Sequence, residues 1–297
     1  MQYVTVSFLQ DLMVLKLQAL SLSKYLPSDS EASFIVVNNH YTGAERDAFE
    51  RIFLSEVLPA YGRFSERVKI LRAEDLVPGL GGLSGWRTQQ PLKFAVARYV
   101  QNDIYVTLDS KNQLIRPVTD RWLYADDGRI LIGRRKLDDV LRPSYKYWMG
   151  DEKIPEWGFV IWTPSVLIKQ HVLNMLDEMD GRENGSGLVA LARRTELLEY
   201  AVYYGYLISK GLASSLYTTD EPPHGGGFWF GGQAREVINF TDNLLRTRDT
   251  IKWMFVRRQI TTESDEVKAQ ISRLWVDFGL CATVEEGLGY IKSFSRK

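Results

Sequence analysis

Hydrophobic positions follow two different periods along the first half of the chain and predict strands and helices in turn. Residues 11–25 carry apolar side chains three or four positions apart, which is the spacing of one helix face. Residues 34–38 form a short β-branched run, typical of a strand buried on both faces. Similar short runs at residues 3–9, 68–71 and 103–109 predict further strands, and residues 44–58 and 88–100 predict further helices. This order predicts a mostly parallel central sheet flanked by helices, in an α/β fold.

The second half continues the mixed pattern with more turn signals. We expect a hairpin at residues 122–132, helices at residues 164–179 and 188–209, and strands at residues 159–162 and 253–256. A helical tail follows the last strand. Residues 224–232 form a loop of glycine and aromatic residues. Because no repeat, low-complexity block or linker interrupts the chain, residues 1–297 are predicted to form a single domain.

Composition narrows the class of protein. The 297 residues are 45% hydrophobic and 25% charged, with a formal net charge of zero, so a general affinity for nucleic acid is not expected. No apolar run reaches the roughly 18 to 20 residues that a membrane span needs, although peripheral contact with a membrane stays open. The N-terminus lacks the features of a signal peptide, and the lone Cys281 fits a reducing compartment. The expectation is a cytoplasmic protein.

Asp109 is the first candidate for chemistry, because it follows the apolar run 103–108 directly. Ligands of open parallel sheets bind at the carboxyl ends of the strands, where a carboxylate can bind a divalent cation. A helix cap or turn is the alternative for such a residue. The glycine-rich segment 78–86 lacks the spacing of a Walker or dinucleotide-binding loop. Motifs of zinc proteases, common serine hydrolases and thiol redox enzymes are also missing.

The stretch GWRTQQPLKFAVARYVQNDIYVTLDSKNQLIRP, residues 85–117, resembles the central motif of glycosyltransferases with the A-type fold. It is most similar to a bacterial glycosyltransferase-like group linked with surface polysaccharide synthesis. In that group a Gly-Trp and a pair of Gln precede a helix with Lys, and a strand ends in Leu-Asp-Ser-Asp before an Arg-Pro. The matching residues here are Gly85, Trp86, Gln89, Gln90, Lys93, Leu108, Asp109, Ser110, Arg116 and Pro117.

The resemblance implies a Rossmann-like glycosyltransferase A-type domain. Residues 1–120 would then bind a nucleotide sugar, and residues 121–297 a glycan or lipid-linked acceptor. The expected donor-binding residues are Asp11 near the base, Asn38 at a strand end, and Trp86, Gln89, Gln90, Lys93, Asp109, Ser110 and Lys111.

One residue departs from the family pattern. Lys111 stands where the group has a second Asp, and a protonated lysine cannot bind a metal ion. Asp109 would then bind Mn²⁺ or Mg²⁺ together with another ligand such as His224. Alternatively, the enzyme is independent of metal and Lys111 contacts the donor phosphate.

Glu196 is the predicted catalytic base, since transfer with inversion needs a group to accept the acceptor's proton. Glu199 and Trp229 are predicted to contact the acceptor. The alternative for Glu196 is a favourable position near a helix N-terminus, and the loop around Trp229 could simply be a tight crossing. Arg257 and Arg258 could meet a diphosphate or lie on a solvated surface, whereas His40 and His171 are expected to be structural.

The leading hypothesis is therefore sugar transfer from a nucleotide donor, in bacterial surface polysaccharide synthesis, with Asp109 and Glu196 as catalytic residues. The second is a catalytically silent sugar-binding or scaffold protein on the same fold, for which Lys111 is the main support. A nucleotidyltransferase ranks third, because no glycine-rich basic loop follows the first strand.

Overall fold

The computed structural model describes residues 1–219, 225–228, 237, 239, 241–242 and 251–294. Its strands, in chain order, are β1 (Gln2–Ser7), β2 (Ser33–Asn38), β3 (Val68–Arg72), β4 (Ile104–Asp109), β5 (Asn112–Leu114), β6 (Ile130–Leu131), β7 (Arg134–Lys136), β8 (Trp157–Phe159), β9 (Ser165–Ile168), β10 (Tyr217–Thr218), β11 (Gly225–Phe228) and β12 (Trp253–Val256). The helices are α1 (Leu12–Tyr25), α2 (Gly43–Ile52), α3 (Ala73–Leu76), α4 (Gly85–Ala95), α5 (Arg142–Met149), α6 (Lys169–Arg182), α7 (Gly187–Arg193), α8 (Glu199–Ser209), α9 (Ala213–Leu216), α10 (Asp265–Asp277) and α11 (Val284–Ser293).

The central sheet has five strands in the order β3-β2-β1-β4-β9. The first four run parallel and β9 is antiparallel to β4. Every residue of β1 is buried, because helices cover both faces of the sheet. The predicted α/β class with a mostly parallel sheet flanked by helices is confirmed. The order of strands changes direction between β1 and β4, and a crevice opens outside the carboxyl ends of strands at such a point.

A smaller sheet joins the end of β4 to the C-terminal part of the chain. After Asp109 the chain turns through Ser110 and Lys111 into β5, which pairs antiparallel with β12. The Asp109 amide donates to the Asn112 Oδ1 at 2.7 Å, which closes this turn. The pairing brings the residues after β12 close to the end of β4.

Two hydrophobic cores meet at α1. Leu15 and Leu22 belong to the main core around the central sheet, whereas Val14 and Leu17 belong to a second core with β12, α10 and α11. Trp275 is fully buried at the centre of that second core. Because α1 is apolar on both sides, it holds the two cores together.

Two predicted helices are wrong in the structure. Residues 164–179 form β9 and then α6, since the run Ser165–Ile168 pairs with β4 at the sheet edge. Residues 188–209 form two helices, α7 and α8, separated by residues 194–198. The Arg87 guanidinium donates to carbonyls in and after the last turn of α7, and these bonds stabilise the break: Leu191, Ala192, Arg194 and Leu197.

Candidate active site

A cleft of about 640 Å³ lies outside the carboxyl ends of β1 and β4. Its walls come from five segments of the chain, within residues 6–14, 39–45, 82–89, 109–111 and 257–259. Four of these segments lie at the carboxyl ends of β1, β2, β4 and β12. The fifth includes the N-terminal turn of α4. The cleft therefore lies at the switch point of the sheet, where ligands of open α/β folds bind.

Asp109 lies at the floor of the cleft between two lysines. Its Oδ1 is 2.9 Å from the Lys93 Nζ, and its Oδ2 is 2.9 Å from the Lys111 Nζ. Burial by itself would raise the pKa of Asp109, but the two ammonium groups outweigh burial and hold that pKa well below its usual range. Asp109 is therefore a carboxylate whose two oxygens each contact a cation.

Lys93 connects Asp109 to the protein interior. Its side chain is 3% exposed, and its Nζ also lies 3.0 Å from the Glu199 Oε1 and 4.9 Å from the centre of the Tyr200 ring. Burial by itself would lower the pKa of Lys93, but Asp109, followed by Tyr200 and Glu199, raises it well above its usual value. Lys93 is thus a buried cation between two carboxylates, and it sets the position of Asp109.

Lys111 faces the cleft from the opposite side of Asp109. Its ammonium lies 5.5 Å from the centre of the Phe255 ring, and its side chain remains 31% exposed. The bond to Asp109 and the contact with Phe255 restrict the positions that this flexible side chain can adopt. The result is a cation held in place and accessible to a ligand.

Asp11 and Arg258 form the neighbouring wall. The Asp11 Oδ1 lies 3.9 Å from the Arg258 Nη1, and both residues line the cleft together with Arg257. Burial raises the pKa of Asp11, and Arg258 partly offsets this rise. Asp11 therefore lies beside a cation in the wall of the cleft, and its contact with a nucleotide base stays a prediction.

Aromatic and amide side chains also line the cleft. They belong to Phe8, Asn39, Tyr41 and Trp86, and Trp86 is 55% exposed. His40 lines the cleft too, and its Nε2 accepts from the Leu9 amide at 2.8 Å. Flat apolar faces and amide groups suit a heterocyclic base better than a phosphate.

His40 has a defined tautomer. Since its Nε2 accepts from the Leu9 amide, its Nδ1 carries the proton and donates to the Glu45 Oε2 at 3.1 Å. The ring therefore links the start of the segment after β1 to α2. The bridging position agrees with the structural role expected for His40, and the residue also lines the cleft.

Of the predicted donor-binding residues in α4, two line the cleft and two lie in the interior. Trp86 and Gln89, three residues apart, line the cleft. Gln90 is fully buried, and its amide bonds to the Leu197 carbonyl and the Glu199 Oε2 when oriented to satisfy its partners. Lys93 reaches the cleft only through Asp109. The predicted residues of α4 thus include two that a ligand can touch and two that support the site from behind.

Asn38 does not reach the cleft. It is fully buried at the end of β2, and its Nδ2 donates to the Arg46 carbonyl at 3.1 Å. The next residue, Asn39, lines the cleft instead and accepts from the Thr88 hydroxyl at 2.9 Å. Successive side chains of a strand point to opposite faces, so Asn39 faces the cleft and Asn38 faces the interior.

Glu196 is not part of the cleft either. It lies in the 194–198 break, its side chain is 45% exposed, and its Oε1 pairs with the Arg194 Nε at 2.9 Å. A bond from its own backbone, followed by Arg194, lowers the pKa of Glu196. Glu199, predicted to touch the acceptor, is instead 12% exposed and bound to Lys93. The break separates the two glutamates, which a continuous helix would have placed on one face.

Two predicted site residues lie outside the described part of the chain: His224, a candidate metal ligand, and Trp229, a candidate acceptor contact. Ser110 lines the cleft as expected, and its hydroxyl bonds to the Ser7 hydroxyl at 3.0 Å. This bond ties the end of β4 to the end of β1 at the cleft floor.

The described residues do not fit a divalent cation at Asp109. Both carboxylate oxygens contact ammonium groups, and within the described ranges no group of three His, Cys, Asp or Glu could bind a metal ion. A cation such as Mn²⁺ or Mg²⁺ takes several oxygen ligands and is repelled by nearby positive charge. The predicted role of Asp109 as a metal ligand is therefore not supported by its surroundings.

Several residues of the cleft were missed or discounted by sequence analysis. In the sequence, Arg258 fits a solvated surface as well as a diphosphate contact, and no motif marks Gln10, Asn39 or Tyr41. The only available signal was their position just after a predicted strand, which many loop residues share. Arg258 reaches the cleft because β12 pairs with β5, more than 130 residues away in sequence.

Fold and site together define an α/β protein with a charged ligand cleft at the switch point of a mostly parallel sheet. The chain belongs to the family of unknown function DUF6492, which it matches over residues 8–268. None of the curated proteins matches it in sequence.

Solved structures that are similar to this chain include two transferases. One is the galactosyltransferase LgtC in complex with donor and acceptor sugar analogs, at 15% identity and a TM-score of 0.48, over 100% of this chain and 97% of that one. The other is mouse xyloside xylosyltransferase 1 in its apo form, at 12% identity and a TM-score of 0.41, over 86% of this chain and 98% of that one. Among the described residues, no helix combines the length and the apolar character needed to cross a bilayer.

Proposed function

We propose that this protein is a glycosyltransferase that uses a nucleotide-sugar donor. The observation that carries the proposal is the position of Lys111, Asp109 and Arg258 in a cleft at the carboxyl ends of β1 and β4. The resemblance of residues 85–117 to a glycosyltransferase motif supports it independently. That resemblance also favours a glycan or lipid-linked acceptor in bacterial surface polysaccharide synthesis.

The residues that line the cleft suit both the base and the phosphates of such a donor. A base would pack near Phe8, Tyr41 and Trp86, and the phosphates would lie near Lys111 and Arg258. In the transfer, the bond from the anomeric carbon to the phosphate oxygen breaks and its electron pair stays on the phosphate. The acceptor oxygen bonds to the anomeric carbon, and its proton is released. Cations fixed beside the phosphate stabilise the charge that develops there.

Lys93 and Asp109 would keep the Lys111 ammonium in position for the donor phosphate. Lys93 fixes Asp109, and Asp109 fixes the Lys111 ammonium at 2.9 Å. Side chains whose positions are set before the donor binds need no reorganisation during the reaction. Asp109 is therefore proposed as a positioning residue in this chain.

A catalytically silent sugar-binding protein is the second candidate. It is favoured by the position of Glu196, the predicted base, on the surface beside Arg194. Such a protein would bind a sugar without turning over a nucleotide-sugar donor.

The test is a thermal-shift screen of the purified chain with nucleotides and nucleotide sugars, followed by an assay of donor hydrolysis and transfer. A bound ligand raises the melting temperature by mass action. We expect one class of nucleotide to raise it, the rise to shrink in Lys111→Gln, and Lys153→Gln, an exposed lysine outside the cleft, to behave like the wild type. Binding without turnover would favour the silent protein. A flat screen would contradict the glycosyltransferase and leave a silent sugar-binding protein, which a screen of glycans would then test.

A further inference from the structure

The sequence Leu108-Asp109-Ser110-Lys111 brings a cation to the position where the similar glycosyltransferase motif has a second carboxylate. The structure gives this lysine a defined environment. Its ammonium is 2.9 Å from the Asp109 Oδ2 and 5.5 Å from the centre of the Phe255 ring, and it lines the cleft. A carboxylate and an aromatic ring therefore hold this ammonium at the cleft, which reduces the side-chain entropy that a contact with a ligand would otherwise cost.

The Lys93 ammonium lies on the other oxygen of the same carboxylate, at 2.9 Å. The two ammonium groups already neutralise the Asp109 carboxylate. A divalent cation bound there would lie beside both positive charges and be repelled by them. Moving Lys93 away would leave Glu199 without its partner in a site where Lys93 is 3% exposed. The lysine pair therefore opposes a metal ion at Asp109.

Arg258 supplies a second cation close by. Its side chain is 46% exposed and lines the cleft, and its Nη1 lies 3.9 Å from the Asp11 Oδ1. A guanidinium donates in a fixed fork that matches phosphate oxygens, and an ammonium acts as a point charge on them. Lys111 and Arg258 together offer the contacts that a metal ion would otherwise give a donor phosphate.

We propose that this chain binds the phosphates of its donor through Lys111 and Arg258 without a divalent cation. The inference rests on the proposed function, because it concerns how that donor is bound. The lysine takes the electrostatic role of the metal: it contacts the phosphate oxygen on which the electron pair remains when the bond to the anomeric carbon breaks.

The experiment is isothermal titration calorimetry of the full chain with UDP, GDP, ADP and CMP, each in EDTA and in Mn²⁺. The wild type is expected to bind one of these nucleotides with the same affinity in both conditions. Lys111→Gln and Arg258→Gln should each lose about tenfold in affinity, which is the usual effect of one charge-assisted contact.

Lys111→Asp is the sharper variant, because it restores the acidic pair of the glycosyltransferase motif. It is expected to lose nucleotide binding in EDTA and to regain it in Mn²⁺. Lys153→Asp makes the same change of charge at an exposed lysine outside the cleft and is expected to match the wild type. Circular dichroism of each variant checks that it is folded, and the exposed Arg258→Gln tests the proposal if Lys111 variants unfold.

The outcomes separate this inference from the proposed function. Binding by the wild type only in Mn²⁺, or full affinity of folded Lys111→Gln and Arg258→Gln in EDTA, would overturn the metal-independent contact and leave a nucleotide-binding protein. No binding of any nucleotide in either condition would contradict the proposed function, and this inference with it.

Discussion

At the scale of single residues, Lys93 carries its charge where only 3% of its side chain is exposed, between the carboxylates of Asp109 and Glu199. Taking a charge out of water is costly unless opposite charges and hydrogen bonds compensate for it. Each member of this cluster therefore depends on the others. The same dependence keeps Asp109 and Lys111 in position at the floor of the cleft.

Replacing Lys93 by methionine keeps much of the side-chain volume and removes the charge. We expect Lys93→Met to lower the free energy of unfolding by about 3–5 kcal/mol, because Glu199 loses its cationic partner and Asp109 keeps only Lys111. Urea unfolding followed by fluorescence measures this loss, with Lys153→Met as the exposed control. A loss as small as that of the control would mean that the carboxylates are solvated rather than dependent on Lys93.

The Asp109 carboxylate predicts how stability depends on pH. Its folded pKa lies below the unfolded value of about 3.9, so ionised Asp109 stabilises the folded state above that value. This contribution is lost as the pH falls below about 4 and the carboxylate takes up a proton. Asp109→Asn should therefore flatten the acid part of the stability curve.

The measurement is the free energy of unfolding in urea from about pH 7 to about pH 3, where carboxylates titrate. Asp29→Asn, at an exposed position, serves as the control. If Asp109→Asn lost stability with acid as steeply as the wild type, another carboxylate would be the source of the acid sensitivity.

At the scale of elements, the start of α4 is packed closely against the segment after β1. A Cβ added at Gly85 would overlap the Phe8 ring, and the Gly85 carbonyl accepts from Asn39 and Thr88. Both Phe8 and Gly85 line the cleft. The position of α4 and the shape of the cleft around Phe8 are therefore set by the same contact.

Gly85→Ala tests this contact. We expect it to cost about 1–3 kcal/mol of stability through overpacking, and to weaken nucleotide binding by displacing Phe8. Gly289→Ala, in the interior of α11 with nothing within 4 Å of the new Cβ, should instead stabilise the protein by about 0.5–1 kcal/mol. Urea midpoints and ligand-induced thermal shifts of the two variants provide the comparison, and equal stabilities would show that Phe8 moves aside freely.

At the scale of the whole molecule, α1 joins the main core to the core formed by β12, α10 and α11. The same C-terminal unit supplies Phe255 beneath Lys111 and Arg258 beside Asp11. Because one helix is buried on both sides, loss of either core exposes apolar surface of the other. The cleft therefore depends on both cores.

Trp275→Ala is expected to lower the single melting transition of the whole chain. Trp275 is fully buried and its Nε1 donates to the Gln113 Oε1 at 2.9 Å, so truncation should cost about 3–5 kcal/mol. Trp157→Ala, at a residue that is 42% exposed, should change stability by only about 0.5 kcal/mol. Differential scanning calorimetry distinguishes one shifted transition from two separate ones, and two transitions would show that the cores unfold independently.

The amino-acid sequence by itself determined the elements whose pattern is local. The β-branched runs that became β2, β3 and β4 and the helical period of α1 follow from neighbouring residues, and so does the position of Asp109 at the end of a strand. Backbone preferences and side-chain periods act over a few residues, so a linear pattern is enough to show them.

Tertiary structure alone decided which of the candidates meet. The break at residues 194–198 is stabilised by Arg87, more than 100 residues away, and it separates Glu196 from Glu199. The pairing of β12 with β5 brings Arg258 to Asp11, and the packing of α4 against β1 and α8 puts Lys93 on Asp109. These contacts join residues far apart in the chain, and their energy depends on burial and distance, which no local pattern contains.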